Sequence, residues 1–323
     1  MNIGLIGLGG MGAVHYLNYQ HIPGVRVAAA VGTSESDRAR AQEWGIPLFG
    51  TVAELTREVS VDLLDICVPT FLHRQLALEC LACGKPTLIE KPLALSLADA
   101  QAIYAAAERA DAPVYVAQVA QFTRETEALR RVVREQPYGR PVDAFFERLT
   151  ERPKWTQDSW LFDRRKSGLI PYDLHIHDLD LIVSLFGKPE RARFTRCGTA
   201  DSPVQYRFTY DYPGLTVGAE AAWFNACIPF TARWRVAFER GMLVFDGEKV
   251  IGYGADGEIT PYDTEDPLKI STGINVPPTG WFLRELTHFT ACAAQRRPSE
   301  LTPKAQVLAV LEVLEGIADE PQG

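Results

Sequence analysis

The stretch NIGLIGLGGMGAVHYLNYQH, Asn2 to His21, decides the fold of the first half of the chain. Its first residues, Asn2 to Leu8, form a short apolar run that predicts a buried strand, and Ala13 to His21 has helical character. The turn between them follows the pattern G-x-G-x-x-G, whose glycines permit a tight turn, close approach of a pyrophosphate, and close packing of helix on strand. The helix amino terminus then directs unpaired N–H groups at the phosphates. The cofactor-binding residues predicted in this turn are Gly7, Gly9, Gly10, Met11 and Gly12.

Outward from this turn, strands and helices alternate along the chain. Further strand-like runs come at Val25 to Val31, Val61 to Val68 and Pro86 to Ile89, with helical stretches around Ser36 to Trp44 and His73 to Cys83. Strands that alternate with helices form a parallel, doubly wound sheet. The pattern therefore predicts an α/β class protein whose residues 1–120 form a Rossmann domain that binds NAD(P).

The end of the second predicted strand bears on the choice between NAD and NADP. An NAD-binding domain usually has an acidic residue there for the adenosine ribose. Here the position falls on Thr33 or Ser34, and Arg38 follows one helical turn later. Hydroxyl groups and an arginine suit a 2'-phosphate, so NADP(H) is the favoured cofactor. NAD(H) is the alternative, with Glu35 or Asp37 serving the ribose.

Two other strand ends carry residues that suit a ligand site. Pro69, Thr70 and His73 follow one strand, and Glu90-Lys91-Pro92 follows another. Ligands of open parallel sheets bind outside the carboxyl ends of the strands, so both turns are predicted to edge the cofactor crevice. Lys91, beside a proline-fixed turn, is well placed for chemistry.

The second half of the chain has a different pattern. Six strand-like runs, several with period-two alternation, are joined by short turns, which predicts a mostly antiparallel sheet. They lie at Val142 to Thr150, Ala192 to Arg196, Val204 to Asp211, Thr216 to Trp223, Thr231 to Glu239 and Gly241 to Phe245. Helices are predicted at Trp281 to Gln295 and Pro303 to Ala318, one of them packing back on the first domain. Residues 121–323 are thus predicted to form an α+β domain.

The motif DLHIHDLDL, Asp173 to Leu181, is rich in histidine and aspartate. A helix over Asp173 to Phe186 would place Asp173, His177, Asp180 and Ser184 on one polar stripe facing the cofactor crevice. His175 would lie about 160° away from His177 around that helix. Two histidines so far apart cannot easily share one ion, so no metal site is predicted, and His175 is interpreted as structural.

The composition limits the possible partners. A chain of 323 residues is long enough for two domains, and its net charge of -8 disfavours a nucleic-acid partner. The six cysteines have no disulfide-framework spacing, which favours a reducing cytoplasm. There is no apolar run of the roughly 20 residues that a membrane span needs. A small-molecule partner is expected.

These residues carry a family likeness. The glycine turn, the Glu90-Lys91-Pro92 triplet, and Asp173 with His177 and Asp180 resemble the glucose-fructose oxidoreductase, inositol dehydrogenase and rhizopine-catabolism (Gfo/Idh/MocA) family of NAD(P)-dependent oxidoreductases. The resemblance implies a second domain whose large open sheet forms homodimers or homotetramers. The departures from the family pattern are Thr70, Gln121 and His175, which stand where Asn, Arg and Gly are usual.

The resemblance implies that Lys91, Asp173 and His177 carry catalysis. The expected reaction is hydride transfer between nicotinamide and a carbinol or carbonyl carbon of a sugar, cyclitol or related polyol. Histidine titrates near neutrality, so His177 is the candidate general acid/base, with Asp173 binding the substrate or sharing the proton. Lys91 would stabilise negative charge on the reacting oxygen.

The segment KWTQDSWLFDRRKSG, residues 154–168, is predicted to line the sugar pocket. Trp155 or Trp160 would stack on a sugar ring, and Asp158 or Arg164 would bond its hydroxyl groups. Two other functions stay open: a non-catalytic dinucleotide-sensing regulator on the same fold, and redox-assisted glycoside cleavage with tightly held NAD. A sensor has little need of Lys91, Asp173 and His177 together, which favours the enzyme.

Overall fold

The computed structural model describes residues 1–154, 157–199, 201–274 and 276–319, and the chain forms two compact units. The first unit comprises Met1–Val119 and Pro267–Val307, and the second comprises Ala120–Asp266 and the chain from Leu308. The contacts thus assign Pro267–Val307 to the first unit, whereas the sequence-based division at residue 120 assigns it to the second.

The first unit is built on a parallel sheet with the strand order β3-β2-β1-β4-β5-β6. Its strands are β1 (Asn2–Ile6), β2 (Arg26–Val31), β3 (Leu48–Phe49), β4 (Leu63–Ile66), β5 (Thr87–Glu90) and β6 (Val114–Ala117). Ile6 pairs with Val31 on one side and Ile66 on the other, so three strands end at one edge. The order reverses beside β1, and such a switch point is where open α/β sheets bind ligands. The predicted doubly wound sheet is confirmed.

Helices connect these strands: α1 (Gly10–Tyr19), α2 (Glu35–Trp44), α3 (Val52–Glu58), α4 (His73–Ala82) and α5 (Leu97–Ala110). Three of them, α2, α3 and α5, begin at a side-chain cap. Capping boxes start α2, at Ser34 with Asp37, and α3, at Thr51 with Glu54. In each box the two side chains satisfy backbone N–H groups that the first turn leaves unpaired. The helix α1 begins after Gly9 without a side-chain cap, so no capping side chain occupies its amino terminus.

The second unit contains a sheet of eight strands in the order β14-β13-β12-β11-β7-β10-β9-β8. They are β7 (Pro141–Glu151), β8 (Arg191–Gly198), β9 (Pro203–Tyr212), β10 (Leu215–Phe224), β11 (Thr231–Phe238), β12 (Gly241–Phe245), β13 (Val250–Gly254) and β14 (Ile259–Tyr262). Only β7 and β10 pair in parallel; the other described neighbours are antiparallel. The predicted mostly antiparallel sheet is confirmed, with β13 and β14 in addition to the six expected strands.

One face of this sheet is buried and the other is open. Phe146 and Val236 are fully buried, whereas their chain neighbours Phe145 and Arg235, on the opposite face, are not.

The helices of the second unit include α6 (Arg124–Glu135), α7 (Arg164–Ser167) and α8 (Ile176–Phe186). Two further helices follow the sheet, α9 (Trp281–Ala294) and α10 (Lys304–Asp319). Among the described residues, every helix is too short or too polar to span a bilayer.

Candidate active site

The glycine turn after β1 has the geometry of a pyrophosphate cradle. Gly7 has φ +87°, and a Cβ on Gly12 would lie 2.1 Å from the carbonyl oxygen of Gly7, so both positions require glycine. A Cβ on Gly9 or Gly10 would meet nothing within 4 Å. These two glycines therefore leave open space directly at the uncapped amino terminus of α1. Met11 lies in the first turn of α1. An open helix amino terminus of this kind suits a phosphate, and contact of these residues with a dinucleotide remains a prediction.

The loop after β2 is organised around the carboxylate of Asp37, one of the two acidic residues named for the alternative cofactor NAD(H). The Asp37 carboxylate accepts hydrogen bonds from the backbone N–H of Thr33 (3.1 Å), that of Ser34 (3.0 Å) and the Ser34 hydroxyl (2.7 Å). Thr33 and Ser34 carry no acidic side chain themselves, but the capping box brings the Asp37 carboxylate back to them across three residues. Arg38 lies in the same loop and donates to the carbonyl of Thr33 at 3.1 Å. The loop thus holds both a cation and a carboxylate close to the end of β2.

The residues after β4 and β5 are joined through His73. Thr70 begins a short 3-10 turn after Pro69, and His73 begins α4. The His73 ring nitrogens lie 2.8 Å from the carbonyl of Pro92 and 2.9 Å from that of Val68. Burial lowers the pKa of His73. His73 therefore ties the two turns together, and its contact with a cofactor remains a prediction.

The Glu90-Lys91 pair sits where β5 ends. Glu90 is buried, and one of its carboxylate oxygens accepts the backbone N–H of Lys91 at 3.0 Å. Lys91 itself is half-buried. Lys91 belongs to the first unit, and the predicted partners Asp173 and His177 belong to the second.

Sequence reasoning missed a buried polar cluster beneath this strand end. It comprises His15 and Tyr19 on α1, Asp65 and Cys67 at the end of β4, Glu90, and Glu285 on α9. The one available signal was local: Asp65 interrupts the apolar run LLDIC, and Glu285 lies on an otherwise apolar helix face. A buried charge needs a compensating partner, so such interruptions indicate a polar network.

Glu285 is expected to make the protein less stable as the pH rises. Neither of its carboxylate oxygens has a hydrogen-bond partner among the described residues. Burial, then the charge of Glu90, raises the pKa of Glu285 well above its usual value. A carboxyl group with a raised pKa contributes stability that is present below the unfolded pKa and lost as pH rises through the folded pKa. Wild type should therefore lose about 1.4 kcal/mol per pH unit relative to Glu285→Gln, starting near pH 4.3.

Urea unfolding of both proteins between pH 5 and 8 measures this difference. Glu300→Gln is the control: Glu300 is exposed, and its own backbone N–H and Arg297 lower its pKa, so it titrates below this range. Its stability difference from wild type should stay constant. A constant difference for Glu285→Gln as well would show that the Glu285 carboxyl is already ionised at pH 5.

The helical motif of the second unit starts differently from the prediction. Pro171–His175 forms a π-helical turn, and α8 begins at Ile176. A uniform α-helix from Asp173 is therefore wrong, because the wider turn changes the angular spacing between Asp173 and His177. π-Helical turns occur frequently at functional sites.

Burial separates the polar residues of this motif. Asp173 and His177 are half-buried, whereas every other residue from Leu174 to Leu181 is buried. Asp173 and His177 are thus the two side chains of the motif that a ligand could reach. This exposure pattern agrees with the sites predicted for them, whose roles remain predictions.

His175 packs as a structural residue. Its ring stacks on Phe208 with 3.8 Å between centroids, and its Nε2 lies 2.6 Å from the hydroxyl of Tyr210. Burial, and then the charge of Arg148, lower the pKa of His175 to about 3. His175 is therefore a neutral, stacked ring that contributes to packing and is not a reactive group.

Asp180 does not share an exposed stripe with His177. It is fully buried, and its carboxylate accepts the side-chain N–H of Gln121 at 2.5 Å. Gln121 in turn accepts from Arg130 at 2.7 Å. Ser184, the last member of the predicted stripe, is exposed. The departure at Gln121 is thus a structural partner of Asp180.

The segment predicted to bind the sugar is described in part. Trp160 is half-buried in a 3-10 segment, and Arg164 is exposed at the start of α7, where Asp163 caps the helix. Trp155 and the side chain of Asp158 lie outside the described residues. Trp160 and Arg164 keep their predicted roles as proposals.

Two family models match the chain. Residues 1–118 match a model described as an oxidoreductase family with an NAD-binding Rossmann fold, and residues 126–244 match a GFO/IDH/MocA C-terminal domain. The two matched segments correspond to the glycine-turn unit and to most of the second sheet.

The chain is also similar to proteins that are named as dehydrogenases. The chain is 32% identical to D-apiose dehydrogenase from Paraburkholderia graminis over 58% of its length, and 29% identical to myo-inositol 2-dehydrogenase from Thermotoga maritima, also over 58%. These matches span 50% and 55% of the two relatives, so the chain matches about half their length.

A solved structure extends the likeness of fold over the whole chain. An oxidoreductase from Agrobacterium radiobacter, in complex with NAD+, L-tartaric acid and magnesium, superposes with a TM-score of 0.85. The alignment covers 98% of this chain and 94% of that one, at 19% identity. At this identity, the likeness shows the fold.

Proposed function

The chain belongs to the Gfo/Idh/MocA family of NAD-binding Rossmann-fold oxidoreductases, and from this we propose that it oxidises or reduces a sugar, cyclitol or related polyol. The reaction proposed is hydride transfer between nicotinamide and a carbinol or carbonyl carbon. The relatives named for D-apiose and myo-inositol support this substrate class. The observation that carries the proposal is the selective exposure of Asp173 and His177 in a motif that is otherwise buried.

Each residue has a distinct proposed role. When bound, the nicotinamide supplies or accepts the hydride. His177 takes the hydroxyl proton during oxidation and returns it during reduction. Asp173 holds the substrate hydroxyl or shares that proton. Lys91 stabilises the negative charge that develops on the substrate oxygen.

We propose NADP(H) as the favoured cofactor, with NAD(H) also accepted. Arg38 and the hydroxyls of Thr33 and Ser34 support a bound 2'-phosphate, and Asp37 opposes it by charge. Arg38→Ala should therefore weaken NADPH binding about tenfold more than NADH binding, since it removes a charge-assisted hydrogen bond. Asp37→Asn, which keeps an oxygen for the cap, should strengthen NADPH binding relative to NADH.

Fluorescence titration with NADPH and NADH gives the dissociation constants of wild type and of each variant for both cofactors. Glu43→Gln is the matched control, because it removes an exposed acidic group from the last turn of the same helix, far from the loop after β2. Equal effects of Arg38→Ala on both cofactors would contradict the preference for NADP(H).

The rival function is a dinucleotide-sensing regulator without catalysis. A screen of sugars and cyclitols in both reaction directions, with NADPH and NADH absorbance as the readout, separates the two. Turnover of any substrate establishes the enzyme. Dinucleotide binding with no turnover across the screen would favour the sensor.

We also propose a homodimer or homotetramer through the second sheet. On its open face, Ala237, Met242, Tyr253 and Ile259 stand side by side in register on β11 to β14. Tyr253 and Ile259 are exposed, and adjacent exposed apolar side chains mark interaction surfaces. Light scattering of wild type and Ile259→Asp tests this, and a monomeric wild type would contradict it.

A cytoplasmic location is proposed on the cysteines. All six are free, two of them exposed. Exposed free thiols suit a reducing compartment.

A further inference from the structure

A chain of buried hydrogen bonds leads from α1 to the backbone at Lys91. The His15 Nδ1 lies 2.8 Å from a carboxylate oxygen of Asp65, and its Nε2 lies 3.1 Å from a carboxylate oxygen of Glu90. The second oxygen of Glu90 accepts the backbone N–H of Lys91 at 3.0 Å. All the residues that make these hydrogen bonds belong to the first unit.

The arrangement around His15 requires both of its ring nitrogens to donate. Ionised carboxylates only accept hydrogen bonds, so an imidazole between two of them bonds both only as the doubly protonated cation. Burial opposes that charge, but Asp65 and Cys67 outweigh it and raise the pKa of His15 well above its usual value. The geometry and the charges therefore agree on an imidazolium.

The two carboxylates depend on His15 to different degrees. Asp65 also accepts the Tyr19 hydroxyl at 2.9 Å and lies 3.6 Å from the Cys67 sulfur. Glu90, among the described residues, has hydrogen bonds only to His15 and to the N–H of Lys91. Loss of His15 would leave Asp65 with partners and Glu90 without a side-chain partner.

We propose that His15 is a positioning residue that acts through Glu90 to fix the backbone at Lys91. The inference rests on the proposed function, in which Lys91 acts on the reacting oxygen. Small displacements of a catalytic group lower the rate of the chemical step without abolishing ligand binding. His15 is fully buried, so it acts only through Glu90.

A pair of amide substitutions tests this. The side-chain nitrogen of glutamine reaches about as far as Nε2 of histidine, and that of asparagine about as far as Nδ1. His15→Gln can therefore donate to Glu90, whereas His15→Asn can donate only to Asp65. The kcat of His15→Asn should fall about tenfold or more and that of His15→Gln should stay within about threefold of wild type, with unchanged dinucleotide affinity in both.

Tyr19→Phe is the control for the Asp65 side of the cluster and should keep the wild-type kcat. Equal losses in both amide variants, no loss in either, or a larger loss in His15→Gln would overturn the proposal. Circular dichroism and melting curves confirm that each variant is folded.

A second readout does not depend on turnover. The labelling rate of Lys91 by trinitrobenzenesulfonate, followed by peptide mass spectrometry, should change about threefold or more in His15→Asn and little in His15→Gln. Lys85, at the opposite end of β5, is the internal control. If wild type turns over no substrate, the proposed function fails, and the labelling pattern still decides the role of His15. Equal Lys91 labelling in both variants would overturn the positioning role of His15.

Discussion

Replacement of His177 by alanine is expected to lower kcat by about 10²- to 10⁴-fold, because the substrate hydroxyl loses its general base. The dissociation constants for NADPH and NADH should stay close to wild type, since the glycine turn and the loop after β2 lie in the other unit. Steady-state kinetics on the best substrate of the screen, with fluorescence titration of the cofactor, measures both quantities.

Ser184→Ala is the matched control for His177→Ala. Ser184 lies two turns later in the same helix, is exposed, and donates its hydroxyl to the carbonyl of Leu181 at 2.8 Å. Its loss should leave kcat unchanged. A His177→Ala protein with near-normal turnover would remove His177 from the proton-transfer step.

The second large effect is a loss of stability when the ion pair between β7 and α8 is broken. Arg148 bonds Asp178 through two nitrogens, at 3.0 and 2.7 Å, with the two side chains 11% and 3% exposed. Burial raises the pKa of Asp178, and Arg148 offsets this in part. Asp178→Ala leaves the Arg148 charge buried without its partner, which should cost about 3 to 5 kcal/mol of unfolding free energy.

Chemical denaturation of Asp178→Ala and of the double variant Arg148→Met/Asp178→Leu separates charge from packing. The double variant should recover most of the lost stability, because replacing both members of a buried pair with apolar residues is often neutral. A double variant as unstable as Asp178→Ala would show that the pair contributes through packing instead of charge balance.

Local patterns predicted most of the fold. Several strands of the second sheet, such as β9 and β10, alternate between more buried and more exposed residues, and that alternation is visible in the sequence. The strands β13 and β14 were missed, because VIGYG and ITPY are short and their glycines and proline weaken the strand signal.

The site was predicted less completely, for physical reasons. Asp37 lies six residues past the end of β2, and only the capping geometry of α2 returns its carboxylate to Thr33. The predicted stripe assumed 3.6 residues per turn throughout, and the π-helical turn breaks that assumption. Asp180 faces Gln121, 59 residues away, and no local pattern links the two.

The buried polar cluster was even harder to predict from local sequence patterns. His15, Asp65, Glu90 and Glu285 are far apart in the chain, and only Asp65 and Glu285 leave a local signal, as polar residues among apolar neighbours. Their meeting depends on the order of the strands and on the packing of α9 in the first unit. Only the tertiary fold brings their charges together.

The π-helical turn at Pro171–His175 also limits which insertions and deletions this segment can accept. Such a turn holds one residue more than an α-helical turn, so removal of one residue there would restore a regular helix. Everything before the deletion would then rotate by about 100° relative to α8, while the buried residues of α8 kept their packing. Asp173 would then change its angular position relative to His177. The spacing of these two side chains thus depends on a single extra residue, and insertions or deletions here act on the site as strongly as substitutions.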